Sequence, residues 1–296
     1  MKAAVEHLKQ AFAFSERRAC AVLQLPVSTF RYCSSRCDAE LRQQLARLAG
    51  EKPRFGYRRL HVLLQREGER VNHKRVWRVY REAGLSVKRK RRKRLGRVGT
   101  PVVAATKANE RWCLDFLSDG LAGGRAIRVL SVLDTYTREC LALDVDTSFP
   151  SPRVTRVLDT LIATRGVPER IRCDNGPELT SRHFLAWCVD RSITLEHIQP
   201  GRPTQNGHIE SFNGKLRDEC LNVSWFRNLF EARRRIGRWR KDYNEFRPHS
   251  SLDYRTPAEF ACLANPTSHA GQYVAEVGAR GFKRQPLAPH PNPRSE

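Results

Sequence analysis

Apolar side chains recur every three to four residues through the first 85 positions, then take on strand-like runs from about residue 109. Residues 15–32 open on Ser15 as an N-cap, break at Pro26 and restart at Ser28-Thr-Phe-Arg-Tyr32. Two short helices about a tight turn fit a helix-turn-helix or an ordinary helical hairpin. The arrangement repeats on a larger scale from Phe55 to Leu85. There Leu60, Leu63 and Leu64 share a face, Gly68 interrupts, and Asn72 caps a helix striped by Val76, Val79, Tyr80 and Ala83. The opposite face carries Lys74, Arg75, Arg78 and Arg81.

Beyond residue 109 the runs 111–116, 126–134 and 139–145 read as three hairpin-like strands. Ser151-Pro152 then opens a helix striped by Val154, Val157, Leu158, Leu161 and Ile162. A short strand (170–173), a helix (181–190) and a fifth strand (193–198) follow. This order predicts an α/β fold with a mixed five-stranded sheet flanked by helices. After a loop at 200–207, Ile209, Phe212, Leu216 and Cys220 form a buried stripe, with Asn206, Glu210, Asn213 and Arg217 on one polar face. Ile236, Trp239 and Tyr243 stripe a further helix, with Arg233 to Arg235 on its exposed side. Thr256-Pro-Ala-Glu259 is a capping box opening the last one.

Charge adds a partner to this picture. The chain has 296 residues, 54 Lys+Arg against 31 Asp+Glu, and a net charge of +23, which favours a polyphosphate. The block Lys88, Arg89, Lys90, Arg91, Arg92, Lys93 and Arg94 cannot pack into a core, so it is expected to lie along DNA phosphates and add affinity without sequence choice. The segments expected are 1–50 (helical, helix-turn-helix-like), 51–87 (second helical DNA-binding segment), 88–108 (basic linker), 109–262 (α/β core with C-terminal helices) and 263–296 (flexible basic tail). No long apolar run or signal peptide is present, so a soluble, cytoplasmic, nucleoid-associated protein without a membrane partner is expected. Nine cysteines without a Cys-x-x-Cys pair argue against a disulfide framework or a zinc knuckle. Cys33 and Cys37 could form half a zinc site, but no partner pair follows them.

Three acids stand out against this basic background. Asp115 lies in the first strand, Asp174 at the end of the fourth before Asn175-Gly176-Pro177, and Glu210 on the helix after the 200–207 loop. Taken singly they are a strand acid, an Asx-turn former and a surface glutamate. Together they are the hard oxygen ligands that a divalent cation such as Mg²⁺ prefers.

With their flanks, these acids resemble the catalytic triad of the retroviral-integrase superfamily. Residues 202–220 and 243–260 resemble more narrowly the second-frame product (OrfB) of insertion-sequence 3-type bacterial transposases. The likeness covers about residues 10–262 and departs from the usual pattern at Leu179, where the family has Phe. It implies an RNase H-like integrase catalytic core preceded by helix-turn-helix-type segments. It also implies a DDE-type transposase that cleaves and transfers DNA strands at element ends, with Asp115, Asp174 and Glu210 both catalytic and metal-binding. Two Mg²⁺ ions per site, replaceable by Mn²⁺, and no zinc are expected. Asn206, Lys215 and Arg217 are candidate DNA contacts, the two cations being otherwise solvated surface groups. Expected partners are double-stranded DNA at element ends and target, further copies of the chain in the active complex, and an upstream-frame protein (OrfA), as fusion or partner. The alternatives are a catalytically inactive DNA-binding regulator or relic, and another RNase H-fold nuclease that cuts without joining.

Overall fold

The computed structural model describes residues 1–32, 38–87, 104–198 and 206–264. Six helices come first: α1 (Lys2–Phe12), α2 (Glu16–Val22), α3 (Val27–Arg31), α4 (Ala39–Glu51), α5 (Tyr57–Arg66) and α6 (His73–Glu82). Ser15 Oγ accepts from Arg18 N at 3.3 Å and Asn72 Oδ1 from Lys74 N at 2.8 Å, so both sequence-predicted caps form. The helices sort into two small cores. Val5, Ala19, Cys20 and Leu25 hold α1–α3 together. Leu41, Leu45 and Leu48 of α4 pack instead with Leu60 and Leu64 of α5 and Val76, Val79 and Tyr80 of α6. The packing unit therefore runs across residue 50, where the sequence pattern suggests a boundary. Apolar spacing within each helix does not reveal which helix it meets.

The sheet has five strands, β1 (Arg111–Gly120), β2 (Ala126–Asp134), β3 (Cys140–Asp146), β4 (Arg170–Cys173) and β5 (Thr194–His197), in the order β3-β2-β1-β4-β5. β1–β2 and β2–β3 are antiparallel; β1–β4 and β4–β5 are parallel. β1 runs on to Gly120, past the sequence-predicted end at Phe116, because the tight 121–125 turn returns the chain directly into the ladder. Leu121 N donates to Arg125 O at 2.9 Å, and Gly124 supplies the positive φ (79°) that the turn needs.

Alternation along the central strands builds two different faces. Trp112, Leu114, Leu130 and Val132 point to one side, under α7 (Ser151–Arg165) and α8 (Arg182–Asp190). Cys113, Leu117, Val129 and Leu133 point to the other, under α9 (Gly207–Leu216) and α10 (Leu229–Glu245). One π-helical turn, Arg217–Leu221, extends α9. The predicted stripe of Ile209, Phe212, Leu216 and Cys220 is buried, as are Ile236, Trp239 and Tyr243. The last helix, α11 (Pro257–Ala264), opens on the expected capping box: Thr256 N donates to Glu259 Oε2 at 2.7 Å and Glu259 N to Thr256 Oγ1 at 3.1 Å.

A thin polar junction joins the α4–α6 unit to the C-terminal helices. Lys52 pairs with Asp242, and Arg66 Nη2 reaches Glu259 Oε2 at 2.8 Å and Tyr254 O at 3.3 Å. The buried Arg247 guanidinium lies 5.1 Å from the Phe55 ring centroid.

Candidate active site

The alternation that separates the sheet faces also aims the acids. Asp115 lies between Cys113 and Leu117 and so faces α9. In the parallel ladder Cys113 is paired with Arg172, so the same register carried two residues further brings Asp174, just past β4, beside Asp115. Neighbouring strands lie about 4.8 Å apart. Glu210, in the first turn of α9, is the third member. Burial pushes the Asp115 carboxyl from its ordinary 3.8 up to about 6, and the charges of Asp174 and Glu210 push the same way. Hydrogen bonds from Phe116 N (2.9 Å) and Asn213 oppose the rise.

Asn213 is the residue whose position makes this site. Its Nδ2 donates to Asp115 Oδ2 at 2.7 Å, and its Oδ1 accepts from Ser131 Oγ at 3.1 Å. Ser131 stands opposite Asp115 in the β1–β2 register, and its hydroxyl also lies 3.0 Å from Asp115 O. Both side chains are buried. Helical spacing groups Asn213 with Glu210 but does not show that it turns inward to hold the strand carboxylate. The legible signals were its place three residues after Glu210 and a lone serine within the apolar run of β2.

The loop after β4 is equally constrained. Asp174 Oδ1 accepts from Gly176 N at 3.3 Å, and a Cβ at Gly176 would sit 3.2 Å from both Asp174 Oδ1 and Glu178 Oε2. Arg128 of β2 pairs with Glu178 and anchors the loop to the sheet. Among the described residues, no three His, Cys, Asp or Glu side chains stand close enough together to hold a metal ion. Asp115 is held by Asn213 and Asp174 by its own turn, so the acids share a region without meeting, as uncompensated like charges do.

Two Integrase core domain models match residues 105–203 and 191–257, across the strands and helices that carry all three acids. The uncharacterized 31.7 kDa protein of insertion element IS407 from Burkholderia multivorans is 46% identical over 274 residues, 91% of this chain and 99% of that protein. An uncharacterized 39.2 kDa protein of insertion element IS476 from Xanthomonas euvesicatoria is also 46% identical, over 87% of this chain and 75% of its own length. Transposase InsD of insertion element IS2 from Escherichia coli is 28% identical over 75% of this chain and 78% of its own. The chain belongs to the insertion-element transposases of the integrase superfamily.

An HTH-like domain model matches residues 36–94 of this transposase, which places the helix-turn-helix likeness on α4–α6, one unit later than the 15–32 candidate. The α2–α3 pair does form, but α3 is only five residues long. Of the other expected DNA contacts, Arg217 is exposed and its Nη2 lies 3.5 Å from Ser118 O, on the α9 side of β1. Asn206 is buried, and its Oδ1 has no hydrogen-bond partner among the described residues. Lys215 turns away from the acids, with Nζ 3.4 Å from His249 Nε2. The basic block from Lys88 to Arg94 and the cysteines Cys33 and Cys37 lie outside the described residues. Among the described residues, no helix is long and apolar enough to cross a membrane.

Proposed function

We propose that this transposase cleaves and joins DNA strands through a DDE-type site formed by Asp115, Asp174 and Glu210. The observation that carries the reading is the convergence of Asp115 on β1, Asp174 just past β4 and Glu210 on α9 toward one side of the sheet, where burial first, and the charges of the other two acids second, raise the Asp115 carboxyl. A folded chain gains nothing in stability from gathering three carboxylates on one face, so the arrangement is accounted for by a cation that neutralises them. The donor set is all hard oxygen and suits Mg²⁺, with Mn²⁺ as a substitute and two ions per site. When bound, such ions supply a lowered pKa to an attacking water or 3′-hydroxyl and charge stabilisation to the leaving oxygen.

The chain's own residues do the positioning. Asn213 fixes the Asp115 rotamer, the Gly176 turn fixes Asp174, and α9 carries Glu210 to the same side. Arg217, exposed at the end of α9, is placed to hold the strand by a phosphate. The α4–α6 unit and the Lys88 to Arg94 block supply duplex binding in the cytoplasm at the nucleoid. Joining two element ends to a target needs more than one copy of the chain, and an upstream-frame protein is the expected companion.

The test incubates the purified chain, alone and with any protein encoded just upstream, with labelled element-end duplex and Mg²⁺, beside Asp174→Asn. Cleavage or joining that requires both metal and Asp174 supports the reading. Specific binding with no cleavage, even with the partner and Mn²⁺, overturns it in favour of an inert DNA-binding regulator.

A further inference from the structure

Lys215 does not behave as a surface cation. Five residues after Glu210 on α9, it is half-buried, and burial together with the guanidiniums of Arg247 and Arg59 pushes its ammonium down to about 8. Its Nζ lies 3.4 Å from Nε2 of His249, a nitrogen that Tyr243 Oη also approaches at 3.1 Å. His249 Nδ1 faces Ser251 Oγ at 3.2 Å, and burial keeps the ring neutral with its pKa pushed down to about 3. A neutral ring with Nδ1–H toward Ser251 leaves one lone pair on Nε2 as the acceptor that Lys215 and Tyr243 share.

This histidine belongs to a short turn that other parts of the molecule grip. His249 N donates to Arg255 O at 3.0 Å and Tyr254 N to His249 O at 2.9 Å, closing residues 249–255 on themselves. From the α4–α6 unit, Arg66 binds Tyr254 O and Phe55 stacks under Arg247. Arg247 in turn pairs with Glu219 in the π-helical turn that extends α9. The turn therefore touches the DNA-binding unit through Tyr254 on one side and α9 through His249 on the other, and Arg247, two residues before it, adds a second tie to the extension of α9.

We infer that Lys215 and His249 form a clasp that fixes α9 against the 249–255 turn, making both of them positioning residues for Glu210 rather than DNA contacts. The clasp sets where Glu210 stands relative to Asp115, and the α4–α6 unit, by gripping the same turn, helps to hold it there. This deepens the transposase reading and rests on it for the cleavage readout, but not for the binding readout.

The two roles of Lys215 separate in one experiment on the full chain with an element-end duplex. Affinity is measured by anisotropy from low to moderate salt, and cleavage by single-turnover rates in Mg²⁺ with protein saturating. In a clasp, Lys215→Met leaves the slope of log affinity against log salt unchanged and slows cleavage about tenfold. His249→Ala does the same, the double variant loses no more than either single one, and His249→Gln, which restores an acceptor, recovers the rate. A phosphate contact instead gives a slope reduced by about 1 with cleavage at saturation intact, and that result overturns the clasp. Additive losses in the double variant also overturn it. Should Lys215→Met not fold, Lys215→Gln removes the charge but keeps a donor, and its salt slope decides alone. A wild-type chain that binds but never cleaves defeats the transposase mechanism, whereas a cleaving wild type with a reduced slope in the Lys215 variants defeats only the clasp.

Discussion

The two faces of the sheet are built on the same strands and are packed to opposite ends. Toward α7 and α8, Trp112, Leu114, Leu130 and Val132 form an unbroken apolar row that meets Val154, Leu158, Phe184 and Trp187. Toward α9 and α10 the row starts alike, with Cys113 and Leu117 beside Val129 and Leu133, but Asp115 and Ser131 interrupt it and Asn213 descends from α9 to meet them. Burying polar groups costs free energy that apolar side chains at the same positions would not. One face therefore holds the fold, and the other gives up part of that stability to hold a carboxylate in place.

The largest effect that sharpens this contrast is expected from Asp115→Asn. Cleavage of element-end DNA should fall by on the order of 10³-fold or more, while DNA affinity stays within about twofold. Stability should move the other way. The folded Asp115 carboxyl titrates near 6, so the folded chain binds more protons than the unfolded chain between pH 3.8 and about 6, and metal-free stability falls as pH rises through that window. Asn removes this cost. The metal-free variant should melt higher than the wild type at pH 7, with the gap closing below pH 4, and Mg²⁺ should stabilise the wild type more than the variant. A variant that melts lower at pH 7 would mean that Asp115 is a structural acid. On the other face, Leu114→Ala should cost about 2–5 kcal/mol in urea unfolding, with the single-turnover rate of the folded fraction nearly unchanged. A comparable loss of rate per folded molecule would mean that the faces are not separable.

How much of this was legible followed from where the information lies. The five strands and the helices α7–α11 follow from local signals such as the Ser151-Pro152 start, the alternation in β3 and the Thr256–Glu259 capping box. Each of the three acids sits in a distinctive local run, and register brings Asp174 beside Asp115. What was not legible depends on contacts between distant segments. The attachment of α4 to α5 and α6, the inward turn of Asn213 and the burial of Lys215 against His249 join residues up to 98 apart in sequence, and helical spacing cannot rank which polar side chain faces in. Lys215 and Arg217 look equivalent in sequence; a two-residue step on a helix turns them about 160° apart, one to the interior and one to solvent.

Within the polar row, Asn213→Ala should rank next. It leaves Asp115 without its side-chain donor and Ser131 without one acceptor, and cleavage should drop about tenfold to a hundredfold. Because the Asn213 hydrogen bond holds the Asp115 pKa down, its loss should also move the acid limb of the pH–rate profile to higher pH. A rate loss without that movement would show that Asn213 matters for packing alone.

Ser131→Ala should give the smallest effect, and its size tests how the row is wired. The hydroxyl has one proton and two acceptors within reach, Asp115 O at 3.0 Å and Asn213 Oδ1 at 3.1 Å. If its bond to Asn213 is what aims the amide at Asp115, removing it frees Asn213 to rotate, and the pH–rate limb should move in the same direction as in Asn213→Ala, by less, with a few-fold loss of rate. If the hydroxyl mainly satisfies the Asp115 carbonyl, the cost should be about 1 kcal/mol of stability with the pH profile fixed. The bond to Asn213 is the one expected to matter. The Asp115 carbonyl already lies in the β1–β2 ladder opposite Ser131, whereas the Ser131 hydroxyl is what tells Asn213 Oδ1 from Nδ2, and an amide flipped end for end would place an oxygen against the carboxylate it now holds.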